Sequence, residues 1–569
     1  SPFLHITIMK KFRWQLLILF LTGLVVGVLL ILEKRGGIGQ LGNPQPVAGG
    51  VYTEALIGSL SRLNPLLDAN NQPDKDVDRL IYSGLIKFDS RGMPEPDLAE
   101  SVRPSQDGVI YNVTLKSDLV WHDGKPLTTA DIEFTVDLMK AGEGYISSDL
   151  VSFWNEIDLF IIDDLNMQFI LPEAFAPFQD YLSFGVLPKH ILGGHTLEEI
   201  ANSEFNLQPV GSGPYQFSEL TVEDDLITGL TLTAFEKYYA DGPYLKEIHF
   251  RYYADADSAF QAYADQYVQG ISQVTDAMLP SVLADENLSI YTGRLPQISM
   301  VIFNLNDNGV SFFQEAEIRK ALLTGLNRQR MVNEIFNGQA IVANGVIFPD
   351  NWAYLDTLAP VDYNKEQAAL MLKEAGYLIT GDEKPVREKD GTKLQFVLSY
   401  PDDEMHRLIA EFIQTNWKDL SVDVILEPVP ADIFITDKLE PRAFQAALVD
   451  LSLSSTPDPD PYPFWDSGQA TTGQNYSQWN NRLASDSIEE ARVTIDFKER
   501  ERLYHNFQAI FADEMPSLPL YYPVYNYAVD SVIQGVSLGP LMDTSDRFAT
   551  VTGWFMTARR TQATETPTP

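Results

Sequence analysis

Apolar and β-branched residues crowd Gln297–Asn306, QISMVIFNLN, near the middle of the chain, and the run ends abruptly in Asn304-Leu305-Asn306. This pattern predicts a buried strand that turns polar at its end. In the following Glu315–Gly338, Ile318, Leu322, Gly325, Leu326, Ile335 and Phe336 recur at helical spacing, and Asn337-Gly338 supplies a stop. Elsewhere short stretches of the two periods alternate, which predicts mixed α and β layers. Ile110–Leu115 alternates as a strand, and Thr128, three before Asp131, opens a helix with Ile132, Val136 and Met139 on one face. Leu230–Phe235, Glu247–Tyr252, Leu394–Ser399 and Val422–Leu426 are further strands. Asn364–Ala375 with Gly376 is a capped and stopped helix. Lys498–Asp513 is an amphipathic helix ended by Pro516, and Pro519–Val529 is a second extended apolar and aromatic run.

The pattern near the beginning differs. Trp14–Leu32 carries no charge and has the length a helix needs to cross a bilayer core of roughly 30 Å. Lys10, Lys11 and Arg13 precede it, which places residues 1–13 in the cytoplasm and everything beyond the span outside. A cleaved signal peptide is the rival, but the run is long and no A-x-A-like site follows. Residues 33–49 are a Gly/Pro linker. Its formal Gly37-x-Gly39-x-x-Gly42 follows a membrane span rather than a strand, so it is a tether and not a nucleotide site. Residues 559–569 are a Thr/Pro-rich tail expected to be disordered.

At 569 residues the chain exceeds one hydrophobic core. Its formal net charge of −38 argues against nucleic acid as a partner, because neutralising phosphates needs clustered Lys and Arg. It has no cysteine, which removes disulfides, thiol catalysis and Cys-ligated metals. The histidines show no metal-ligand spacing, and no GxSxG or GxxxxGK[ST] occurs. Asp255-x-Asp257 and Asp458-x-Asp460 hint at calcium loops but lack the glycine such loops need. No catalytic residue, metal or cofactor is therefore assigned.

Several stretches, in order, resemble the extracellular solute-binding proteins of ABC importers, family 5, the peptide/nickel-binding class. They are Tyr111–Asp137 with its W-H-D-G-K-P-L-T core, Gly211–Tyr215, Phe303–Asn306 with Ile318–Leu322, Ala368–Tyr377, Asp458–Trp465 with Asn475-Tyr476-Ser477, and Pro516–Tyr522. The resemblance implies an α/β, two-lobed clamshell of the periplasmic-binding-protein kind with mixed sheets, here preceded by one transmembrane helix. Residues 50–300 plus 523–558 would form lobe I, with a subdomain over about 85–209, and residues 301–522 would form lobe II. The chain would cross between lobes near Val301–Asn306 and near Leu520–Val524, as hinge strands. It implies a monomeric receptor on the outer face of the membrane that hands a peptide or another elongated polar solute to permease and ATPase subunits. A tethered sensor using the same fold is the alternative, and an extracellular hydrolase a third.

Within that frame Asp450–Trp465, DLSLSSTPDPDPYPFW, is the leading ligand segment, since successive prolines hold polar groups at low entropic cost. Asp450, Ser452, Ser454 and Ser455 are its candidates, weighed against an ordinary proline-rich loop; Phe464 and Trp465 are read as core. Tyr215 is expected on the cleft wall. Asn304 and Asn306 are candidates to hydrogen-bond a ligand or, equally, to cap the crossing strand. Peptide-binding members hold the peptide's α-amino group with an Asp three residues before an acidic-Pro step. Here that position falls on Ser455 or Pro457, neither of them a carboxylate, so the resemblance leaves the ligand class open.

Overall fold

The fold is built on one strand, Ser517–Asp530, that is shared between two halves of the chain. In this computed structural model, residues 46–381, 385–452 and 456–557 are described. The compact unit is Ala48–Met556. The first part of the shared strand pairs antiparallel with Gln297–Phe303 and with Ala340–Val342. Its last part pairs with Leu288–Arg294 and Gly270–Ile271. Pro519 lacks the N–H a ladder needs, and next to it the register against Gln297–Phe303 slips between Ser299 and Met300, leaving Leu520 without a partner there.

Through this strand the pairing runs from Asp423–Val429 at one edge, by way of Gln395–Pro401, Ala446–Ser452 and Gln297–Phe303, into Ser517–Asp530. It continues through Gly270–Ile271, Val51–Ile57, Glu247–Tyr253 and Leu226–Ala234 to Tyr215–Glu223 at the other edge. Parallel pairs, Val51–Ile57 with Glu247–Tyr253 and Gln395–Pro401 with Asp423–Val429, mix with antiparallel ones. A separate four-stranded antiparallel sheet, Ala99–Pro104, Ile110–Leu115, Asn166–Ile170 and Asp158–Ile161, lies within residues 85–209.

Gln297–Phe303 is buried on both faces, as its unbroken apolar run requires. Val301 and Phe303 pack with Leu322, Phe396 and Trp417, whereas Ile298, Met300 and Ile302 pack with Trp465, Phe507 and Tyr522. Both of those cores are drawn from residues of the second half of the chain and stop at Tyr522. The other two hold Tyr52–Val282 and resume at Tyr525 and Ala528. The cores thus divide the chain: one pair takes residues up to Val282 and from Tyr525 on, the other Ile298–Tyr522.

Glu315–Gly338 is two helices rather than one, Ala316–Thr324 and Arg328–Ile335. They break at Gly325, where a Cβ would come within 2.4 Å of Leu420 Cδ1. Asn327 then caps the second helix, accepting from Arg330 N at 3.0 Å. Among the described residues no helix is long and apolar enough to cross a membrane; the expected span Trp14–Leu32 lies outside them.

Arg547, fully buried, fastens the returning end of the chain to its start. Its guanidinium donates to Glu54 Oε1 at 2.9 and 2.6 Å and to both Asp76 oxygens at 2.8 Å. The hydroxyls of Tyr52 and Tyr527 donate to Glu54 Oε2 at 2.6 Å. Burial pushes the Glu54 carboxyl up despite these partners. Burial also works against the Arg547 charge, but the two facing carboxylates outweigh it and hold the guanidinium charged. Replacing Arg547 by Met leaves two carboxylates buried without a counter-charge. Arg547→Met is expected to cost about 3–5 kcal/mol, read as a fall in the urea midpoint.

Candidate ligand site between the lobes

The W-H-D-G-K-P stretch and Gly211–Tyr215 meet in space. Gly211 N donates to His122 Nδ1 at 3.1 Å, so the other ring nitrogen carries the proton and donates to Gly213 O at 3.0 Å. Burial lowers the His122 pKa to about 4, which keeps the ring neutral. Gly213 N donates in turn to Ile81 O at 2.7 Å. A Cβ on Gly211 or Gly213 would meet the Ile81 or Leu80 carbonyl oxygen at 2.0 or 2.4 Å, so both glycines are there for close approach. Tyr215, which follows, is fully buried and donates its hydroxyl to Leu245 O at 3.2 Å. It is a core side chain, not a cleft wall.

Asn304 is likewise committed. Its amide donates to Arg442 O and Phe444 O, both at 3.1 Å, and its Oδ1 accepts from Gln478 Nε2 at 2.8 Å and Asn306 N at 3.2 Å. It ends the crossing strand by holding the 442–445 segment, with no capacity left for a ligand. Asn306 is exposed, with its amide 3.3 Å from Gln478 Oε1.

Asp450 and Ser452 are the exposed residues at the end of Ala446–Ser452, opposite Ser299 and Gln297 of the crossing strand. That places them beside the start of Gln297–Phe303. Asp450 faces His406 Nε2 at 3.3 Å, and His406 Nδ1 lies 2.7 Å from Asp403. Burial works against the imidazolium, but the Asp450 and Asp403 carboxylates prevail and raise the His406 pKa. Ser454 and Ser455 lie outside the described residues.

The proline-rich stretch that follows is held by arginines far along the chain. Arg500, with a side chain 1% exposed, donates to Asp458 Oδ2 at 2.5 Å, and Tyr504 donates to Oδ1 at 3.2 Å. Arg492 pairs with Asp460 at 3.2 Å and lies 4.2 Å over the Tyr462 ring. Trp465 packs edge-on against Phe511 in the core, as its sequence context predicts. Asp458 also donates its N–H to Asp180 Oδ2 at 2.8 Å, joining the second lobe to residues 85–209. Burial first, and then the Asp458 charge, pushes the Asp180 carboxyl well up. Pro457 O accepts from Asn351 Nδ2 at 2.7 Å.

Neither hinted calcium loop offers a free oxygen cluster. Asp458 is paired, and Asp255 caps a helix by accepting from Ser258 N at 2.8 Å. Among the described residues no group of His, Asp or Glu is arranged to hold a metal. Arg294, Pro296, Phe348, Thr456, Pro459 and Met542 line a crevice of about 20 Å³, room for about one water.

Residues 93–474 match the family model described as bacterial extracellular solute-binding proteins, family 5 middle. The oligopeptide-binding protein AppA of Bacillus subtilis is 28% identical over 512 residues, covering 88% of this chain and 91% of its own. The structure of AppA from Bacillus subtilis in complex with a nonapeptide covers 90% of this chain and 100% of its own, at 25% identity and a TM-score of 0.61. The periplasmic murein tripeptide-binding protein MppA, in an unliganded open form, covers 90% and 99% at 19% identity with a TM-score of 0.75. These likenesses identify a mixed α/β, two-lobed fold of the periplasmic-binding-protein kind.

The Asp450–His406 contact is testable in isolation. A histidine whose folded pKa is raised adds stability below the unfolded value near 6.5, and that contribution fades as pH rises through the folded value. In a proton NMR titration His406 is expected to titrate above about 6.5, and Asp450→Asn is expected to lower its pKa.

Proposed function

We propose, from the premise that this chain belongs to the bacterial extracellular solute-binding proteins of family 5, that it captures peptides between its lobes and delivers them to an ABC permease. The observation that carries this reading is the likeness to oligopeptide-binding AppA over nearly the full length of both chains. In this proposal the first lobe takes residues from about 50 to 295 and from 523 to the end of the described chain. The second takes about 297 to 522. Trp14–Leu32 anchors the receptor, with its globular part on the outer face and one chain sufficing for the site.

The arrangement described above is read as the open one. Its likeness to the unliganded open MppA is higher than to peptide-bound AppA, although AppA is nearer in sequence. Closure would then bring the first lobe onto Asp450, Ser452 and Thr456-Pro457, excluding water from the solute.

The amino-anchoring position of peptide-binding members lacks a carboxylate here. Ser455 or Pro457 stands in its place, the Pro457 carbonyl is engaged by Asn351, and Asp458 is neutralised by Arg500. Peptides are therefore held mainly by backbone and side-chain contacts. Acetylating the amino terminus of a tight-binding peptide is expected to weaken binding to the detergent-solubilised chain by less than about tenfold in calorimetry. A loss of about a hundredfold, ~2.7 kcal/mol, would show that an acid such as Asp450 replaces the missing anchor. No binding of any peptide would remove the peptide reading.

A further inference from the structure

A second pocket lies entirely within the first lobe, with no lining residue between Gln297 and Tyr522. It measures about 460 Å³, within the range of small-molecule sites. Helix Gln72–Ile81 forms one wall, and residues 183–185 and 542–552 form others.

Most charges around it are spoken for. Lys75 pairs with Asp543 at 3.1 Å and Arg79 with Asp546 at 3.2 Å. Asp97 accepts from Tyr239 at 2.8 Å. Asp74, on the same helix, accepts from the N–H groups of Ser61 and Arg62 at 2.9 and 2.8 Å. Asp78 differs: it is 3% exposed, lines the pocket, and neither of its carboxylate oxygens has a hydrogen-bond partner. Asp68, more exposed, lines the same pocket.

A buried carboxylate without donors is costly, and two side by side more so. We propose that this pocket is a binding site for a small primary ammonium compound, held by Asp78 and Asp68. An ammonium carries three donors and a positive charge, which is what the two carboxyls lack. For an anion, Lys75 and Arg79 are already paired with acids, and the remaining lining cation, Lys87, lies beside Asp97. A metal ion is disfavoured because no third His, Asp or Glu among the described residues completes a ligand set.

Without such a ligand the pair keeps a proton. Burial, followed by the neighbouring carboxylates, pushes Asp78 well up; burial also raises Asp68, to about 7, with Lys75 opposing. The facing Tyr82 and Tyr252 are raised too and stay neutral, so they supply no counter-charge. An ammonium entering at neutral pH displaces a proton held on the acids to solvent while its own protons donate to the carboxylates.

The test is calorimetry on the detergent-solubilised full chain with putrescine, and with butanediol as its uncharged analogue. The expected result is one putrescine site, with butanediol weaker by at least about tenfold. Repeating the titration in buffers of different ionisation enthalpy is expected to show proton release. Asp78→Asn, and separately Asp68→Asn, are expected to weaken putrescine at least about tenfold and to suppress the proton release, with peptide binding retained as the control for folding. Equal binding of butanediol, unchanged putrescine binding in a variant that still binds peptide, or no putrescine binding would overturn the proposal. Putrescine binding in a chain that takes no peptide would remove the peptide reading alone.

Discussion

Gln297–Phe303 and Ser517–Asp530, where the cores of the two parts of the chain meet, are neighbouring hydrogen-bonded strands. That pairing shapes much of what surrounds them. Because the two strands share a ladder over Ser299–Ile302, their backbone groups there are paired with each other rather than with water. The prolines at 519 and 523 and the slip opposite Ser299 interrupt the pairing of Ser517–Asp530. A ladder weakened at a defined place, with rigid cores beyond it, is what lobe rotation requires.

Rigidity on each side comes from buried arginines. Arg547 ties helix Gln72–Ile81 and the last turns of the chain to the first strand. Arg500 fixes the proline-rich stretch from the long helix Phe497–Glu514. Arginine suits both places, since its planar fork meets two acceptors at once and stays charged when buried. The Asp180–Asp458 contact adds a bridge from residues 85–209 to the second lobe. Closure either carries that segment with the second lobe or exchanges this contact for another.

Local order was legible in the sequence. The Thr128–Asp131 helix start is present, with Asp131 accepting from Thr128 N at 2.9 Å, and Asn364 caps its helix by accepting from Gln367 N at 2.9 Å. Strand periods, caps and stops depend on neighbours within a few residues, so a single sequence carries them. The roles of Tyr215 and Asn304 were not legible, because their partners are distant: Leu245 for one, Arg442, Phe444 and Gln478 for the other. Arg500 and Arg492 sit on helical faces that look like ordinary charged surface, and only folding brings them onto Asp458 and Asp460. Asp78 escaped notice for the same reason, as one acid among 79 Asp and Glu residues.

Closure of the lobes on a peptide is the central claim, and a distance between them tests it most directly. The chain has no cysteine, so two can be introduced without background. Leu226 and Ile425 are 68% and 49% exposed and lie toward opposite edges of the sheet. Spin labels on Leu226→Cys and Ile425→Cys, read by pulsed electron resonance, are expected to move to a shorter distance on saturation with a peptide that binds. An unchanged distance distribution with peptide bound would contradict the account.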